Sequence, residues 1–219
     1  MGLALRMYVD DSQGRYPYYG YYTSARLGSY VEWPEALRPY YRFAWTNKEF
    51  HCPAYKLVIR LPGKYGIWTD AAYGGSYGYN GPGSWNSTIS GHWHPSPHLG
   101  LGEGFEDAYP ATPPAIPALP PAIQEALLKS PSEMLAIGDS RTRLDPEKPP
   151  VFPPMGESYL ACGNYLSPPW LQSPPRHGRN YNFLFCDGRV ASIDPAVMFN
   201  PTNSASLWNI DHQPHPETW

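Results

Sequence analysis

The chain has 219 residues, 42% of them hydrophobic and only 16% charged, with 28 Pro, 20 Gly and a formal net charge of -3. That length suits one domain with a real core, and the thinly spread Lys and Arg exclude the basic patch that nucleic-acid binding requires. Pro and Gly at this density keep helices few and connections irregular, while 18 Tyr and 8 Trp can order such connections by packing.

In chain order, the opening MGLALRMYVDDSQGRYP places Leu3, Ala4, Met7 and Tyr8 at helical spacing, with a stop at residues 10–14 and Pro17 beyond it. About three turns is marginal for an isolated helix, so this is either the end of a longer helix or a short one docked on a sheet. Residues 16–44 are aromatic and irregular, with a helical turn expected at residues 34–38. The run AYKLVIRL, residues 54–61, predicts a strand, and residues 71–85 predict turns around an anchoring strand, because Gly at that density lets the backbone visit positive φ. The segment HWHPSPHLGLG carries His92, His94 and His98, which are candidate metal ligands, although Pro95 and Pro97 favour an exposed loop. Residues 110–121 read as a polyproline-like connector, 121–128 as a short helix opened by proline, 134–137 as a strand ending in Gly-Asp-Ser, and 146–175 as a second proline-rich loop.

The sequence holds no HExxH, EF-hand or phosphate loop, and its Gly-x-Ser-x-Gly, GGSYG at residues 74–78, sits among glycine-rich turns instead of directly between a strand and a helix as a nucleophile elbow requires. Ser140 reads as a turn residue, and Glu103, Glu106 and Asp107 as solvated charge. Cys52, Cys162 and Cys186 are too few for a disulfide framework and lack Cys-x-x-Cys spacing, which disfavours a zinc site built on thiolates. No apolar run approaches the roughly 20 residues of a membrane span and no signal peptide is evident, so the sequence as it stands predicts a soluble chain that is not an enzyme.

The segment RHGRNYNFLFCDGRVASID sets His177 nine residues ahead of Asp187-Gly188. Asp-Gly between two apolar runs predicts a two-residue type I′ hairpin. That register pairs Phe185 with Val190, Leu184 with Ala191, Phe183 with Ser192 and Tyr181 with Asp194. One face then carries Tyr181, Phe183, Phe185 and Val190, and the other Leu184, Cys186, Ala191 and Ile193, so both faces should be covered. At about 3.3 Å per residue His177 and Asp187 lie roughly 30 Å apart and cannot share an ion. Asp194 is the acid expected to return to His177 and pin the open end.

These residues resemble the C-terminal domain of prepilin-type, pseudopilin-like bacterial envelope proteins defined by the His-x9-Asp-Gly spacing. LALRMYVDDSQGRYP, FHCP (residues 50–53), SYGYN with HLGLG, PSEMLAIGDS and the tail NPTNSASLWNIDHQPHPETW are similar to the same family in the same order, covering nearly the whole chain. The resemblance implies a pilin-like α+β fold, with a short N-terminal helix packed on an antiparallel sheet and long Pro/Gly/aromatic-rich loops. Residues 1–219 would form a single domain, with 1–14 the remnant of a longer helix and 176–194 the C-terminal hairpin. It further implies a structural subunit of a type II secretion or type IV pilus-like apparatus, located in the cell envelope or periplasm. Its partners would be other pseudopilin-like subunits, and it would reach the membrane only through a helix absent from this chain. Some secretion pseudopilins bind calcium in a C-terminal loop; here Asp139, Asp187 and Asp194 are candidates, with no ligand set matched residue by residue. The alternative is an extracytoplasmic module whose Tyr/Trp-rich loops, residues 16–22 and 73–85, stack on carbohydrate or peptide. A third is a metal-dependent enzyme built on His92, His94 and His98.

Overall fold

A computed structural model describes residues 1–18, 20–22, 30–56, 59, 75–81, 83–84, 99–102, 122–143, 155–156, 171–172 and 176–218. The expected His92/His94/His98 loop, the polyproline connector and Cys162 lie outside them, as does half of the strand expected at 54–61. In the described part of that last segment, Pro53 and Ala54 form a turn closed by the Tyr55 N–H on the Cys52 carbonyl at 2.9 Å, so the extended run does not begin at Ala54.

Helix α1 (Gly2–Asp11) buries Ala4, Leu5 and Val9, with Met1 and Tyr8 packed on the same core. Leu3 and Met7, expected on the buried face, are 76% and 43% exposed. The stripe is rotated because Leu5 and Val9, one turn apart, outweigh the Leu3/Met7 pair once the helix lies on the sheet. The helix start sits close on Leu184, where a Cβ on Gly2 would stand 2.9 Å from the leucine Cδ1. Gly14, at φ +79°, closes the C-terminal end by donating to the Val9 carbonyl at 2.8 Å.

Strands β1 (Gly20–Tyr22) and β2 (Tyr30–Glu32) pair antiparallel and lead into α2 (Trp33–Leu37), the helical turn expected at residues 34–38. The principal sheet is antiparallel and four-stranded, in the order β3 (Tyr77–Tyr79), β4 (Leu135–Asp139), β8 (Tyr181–Phe185), β9 (Val190–Ile193). A smaller sheet joins β5 (Thr142–Arg143), β6 (Met155–Gly156) and β7 (Leu171–Gln172) in the order β6-β5-β7. Short helices α3 (Pro195–Met198) and α4 (Pro201–Ser204) follow, with a 3-10 turn at Ala205–Trp208. The described architecture is α+β.

The helix expected at residues 121–128 is a single 3-10 turn, Glu125–Leu127. Tyr79, Ile137, Leu184 and Cys186 meet α1 and the aromatic cluster of Trp33 and Trp45 on one side of the sheet. Leu135, Tyr181, Phe183 and Phe185 meet Met198, Ala205 and Trp208 on the other. A register shift between Leu135 and Ile137 lets these two residues, which a regular strand would place on one side, serve different sides.

The hairpin register differs by one residue from the expected one: Tyr181 opposes Ile193, Phe183 opposes Ala191 and Leu184 opposes Val190. Its loop has three residues. Gly188 donates to the Phe185 carbonyl at 3.0 Å, Phe185 donates to the Arg189 carbonyl at 2.8 Å, and Gly188 alone takes positive φ, +90°. Asp187 keeps ordinary φ because its Oδ1 already accepts the Arg189 N–H at 2.9 Å, so the turn is the three-residue type with a glycine bulge. The one-residue slip turns Val190 away from the aromatic face and leaves it 63% exposed. Strand β8 is therefore covered on both sides as expected, whereas β9 is a half-exposed edge.

The register carries a contrast in stability. Phe183→Ala should cost about 3–5 kcal/mol, whereas Val190→Ala should stay within about 0.5 kcal/mol; urea unfolding of the two variants compares them.

Candidate functional site

The end of β4 delivers Asp139 with no solvent exposure, and a buried carboxylate must find cations and N–H donors. Asp139 Oδ2 accepts the Asn182 N–H of β8 at 2.7 Å and lies 3.3 Å from His177 Nε2. Oδ1 lies 3.4 Å from Arg176 Nη1, which also donates to the Ser76 carbonyl at 3.0 Å. The Arg176 guanidinium is held between the Tyr55 and Tyr181 rings, 5.0 and 5.1 Å from their centroids, an arrangement favourable for a desolvated cation.

Cys52 completes the cluster from a distant segment. Its Sγ lies 3.2 Å from His177 Nε2, and its N–H donates to Ser76 Oγ at 2.9 Å. Ser76 in turn meets His51. The Ser76 N–H donates to His51 Nδ1 at 3.2 Å, which fixes Nδ1 as the acceptor and leaves Nε2–H to donate to the Trp45 carbonyl at 2.5 Å. Burial lowers the His51 pKa, against the pull of that carbonyl, so the imidazole is a neutral structural link.

His177 is placed by a turn in place of the strand that the sequence predicts there. His177 has φ +45° and Gly178 φ +86°, and β8 begins only at Tyr181. His is one of the few non-glycine residues enriched in the left-handed region, and occupying it costs of order 1–3 kcal/mol unless the surroundings hold it. Here the ring is held by Cys52 and Asp139, while 29% of the side chain reaches solvent.

Asp194 is not the acid that meets His177. Its Oδ1 accepts the Ala196 N–H at 2.8 Å and caps α3. The open end of the hairpin is bridged instead by Asn180 Nδ2 and the Ser192 carbonyl, at 3.4 Å. Asp187 stays in its turn. Of the three acids considered for calcium, only Asp139 joins a cluster, and that cluster does not suit calcium, which takes six to eight oxygen ligands. Ser140 is a buried strand-end residue whose hydroxyl donates to the Gly75 carbonyl at 2.7 Å.

Sequence reasoning missed Cys52, Arg176 and Ser76 as site residues. No spacing rule finds them, because residues 52, 76, 139 and 176–177 converge only through the tertiary fold. Cys186, the other described cysteine, is buried beneath α1, and that burial pushes its thiol well above the ordinary range. The described aromatic residues expected to serve a binding loop are largely core: Tyr16 and Tyr79 are 1% and 0% exposed.

The geometry discriminates between two kinds of chemistry. A Cys-His-Asp nucleophile needs the thiol on one imidazole nitrogen and the acid on the other. Here both lie against Nε2, which is a relay with nowhere to pass the proton. Three donor atoms of different type, all within 4.8 Å of one another, are instead arranged around a common point. Among the described residues no other set of three His, Cys, Asp or Glu side chains is so placed. Comparison of the chain with protein-family models, curated proteins and solved structures finds no match.

The left-handed turn makes a testable demand. Both His177→Gly and His177→Ala lose the imidazole, but only alanine keeps the backbone penalty, so the glycine variant should be more stable by about 1 kcal/mol in urea unfolding.

Proposed function

We propose that the chain is a structural, pseudopilin-like subunit of a bacterial envelope apparatus of the type II secretion or type IV pilus-like kind, working by packing and recognition, without turnover of substrate. The observation that carries this reading is the placement of α1. It buries Ala4, Leu5 and Val9 against a core shared with the antiparallel sheet, whose inner strands come from the LAIGD and His-x9-Asp-Gly segments. It also turns Leu3 outward beside Val190 and Phe43, 76%, 63% and 46% exposed, around a groove of about 600 Å³. Apolar side chains gathered at one end of the helix and along the edge strand form a surface suited to a neighbouring subunit. The pilin-like character of the fold, the envelope location and the partner subunits all belong to this proposal. No helix among the described residues is long and apolar enough to cross a membrane.

Site-directed cross-linking in the encoding bacterium tests the proposal. Leu3→Cys and Val190→Cys should give adducts with pseudopilin-like subunits, identified by mass spectrometry. Thr202→Cys, exposed on α4 at the opposite side of the sheet, should give none. Adducts at Thr202 alone, or intact protein secretion and surface filaments after disruption of the gene, would overturn it.

A further inference from the structure

We propose that Cys52, Asp139 and His177 bind a zinc-class divalent cation through Sγ, a carboxylate oxygen and Nε2. This inference does not depend on the pseudopilin-like reading.

The distances carry the argument. With Zn–S of about 2.3 Å and Zn–N and Zn–O of about 2.0–2.2 Å, neighbouring ligand atoms of a tetrahedral zinc stand about 3.3–3.6 Å apart. His177 Nε2 lies 3.2 Å from Cys52 Sγ and 3.3 Å from Asp139 Oδ2, and all three donor atoms fall within 4.8 Å. Two edges of one face of such a tetrahedron therefore stand within a few tenths of an ångström of the ideal, and the third, from Sγ to the carboxylate, is no longer than 4.8 Å. The fourth position is left to water, as in three-ligand zinc sites, on the side where His177 reaches solvent.

The chemistry of the donors selects the ion. Sulfur, imidazole nitrogen and one carboxylate oxygen suit zinc and not calcium or magnesium, which require oxygen. A thiolate and a carboxylate offset the charge of a dication, with Arg176 remaining on the other carboxylate oxygen, and binding releases the thiol proton.

Groups behind the ligands hold them in place, which is what metal sites need to bind tightly. Asn182 N–H and Arg176 fix the Asp139 carboxylate. Ser76 Oγ anchors the Cys52 backbone, with His51 behind it. Positive φ at His177 and Gly178 sets the imidazole. The ion would tie together the segment around Cys52, the end of β4 and the turn before β8, which share few backbone bonds.

The test is cobalt substitution on the whole chain, reduced and stripped with a chelator. One Co²⁺ per chain should bind, with a thiolate-to-cobalt charge-transfer band that one equivalent of Zn²⁺ abolishes. Cys52→Ser should remove the band, and His177→Gln and Asp139→Asn should each weaken Zn²⁺ binding at least about tenfold. Cys162→Ser, Cys186→Ser and the triple variant His92→Ala, His94→Ala, His98→Ala should leave both properties unchanged. His177→Gln alters a partly exposed side chain, so it decides the matter if a buried substitution fails to fold. Absence of the band in the unaltered chain, its survival in Cys52→Ser, undiminished Zn²⁺ affinity in His177→Gln, or loss of binding in the triple histidine variant would each overturn the proposal.

Discussion

A fully buried carboxylate at the end of a central strand is the constraint around which the rest of this structure is arranged. Asp139 cannot keep its charge away from water without donors and a cation, and leaving it unpaired would cost several kcal/mol. Its partners come from three directions: the Asn182 N–H across the β4-β8 ladder, Arg176 from the chain entering β8, and the His177 imidazole from the following turn. Each also fixes something else. Arg176 ties the Ser76 carbonyl and sits between two tyrosine rings, and His177 reaches Cys52. One charge thus links the β4-β8 ladder to the Cys52 segment, for which no strand is seen among the described residues.

Seen from Asp139, the nine-residue interval between His177 and Asp187 is a ruler with three parts. A left-handed turn at His177 and Gly178 aims the imidazole at the end of β4. Strand β8 then carries the chain from the Asn182 donor to Phe185, and a three-residue loop closes on Gly188. Inserting a residue in the strand would move either the Asp139 donor or the aromatic face out of place, because side chains alternate with a period of two. The spacing is therefore set by two anchors, the carboxylate at one end and the glycine at the other.

The hairpin, α1, the turn at α2, β3 and the strand ending in Gly-Asp-Ser were all legible in the sequence, because each has a local signature: a period, a proline or a glycine. What failed was finer. Asp187-Gly188 announces a hairpin but not its loop length, since Asp also fits the position before the glycine bulge, where its carboxylate accepts the Arg189 N–H. The buried face of α1 is not legible in the sequence, because Leu3/Met7 and Leu5/Val9 have the same spacing and only the docked sheet distinguishes them. His177 stands out in the sequence, but the acid it meets does not. Asp194 is near in the hairpin and yet is the natural cap of α3, while Asp139, 38 positions earlier in the numbering, could be matched to it only by folding. Cys52 carried no signal as a ligand because single donors from distant segments leave no spacing pattern. The stretches FHCP, PSEMLAIGDS and His-x9-Asp-Gly, far apart in the chain, supply Cys52, Asp139 and His177 to one point.

The same economy explains how a chain so rich in proline and glycine holds its shape. The residues 45–55 segment contributes no strand, yet it is seated by side chains: Trp45 against Trp33 at 5.5 Å, Phe50 stacked on Tyr41 at 4.5 Å, and His51 joining the Trp45 carbonyl to Ser76. At the far side, fully buried Asn80 does the equivalent work for the tail, donating to the Leu135 and Trp208 carbonyls at 2.9 Å each and accepting the Gly83 N–H at 3.1 Å. Close approach replaces ladder there too, since a Cβ on Gly100 would fall 1.9 Å from the Gly81 carbonyl oxygen. Aromatic packing supplies the area and a few buried polar side chains supply the direction. The abundance of Tyr and Trp, which composition alone could equally assign to a binding surface, is in the described residues largely the means by which irregular backbone is ordered.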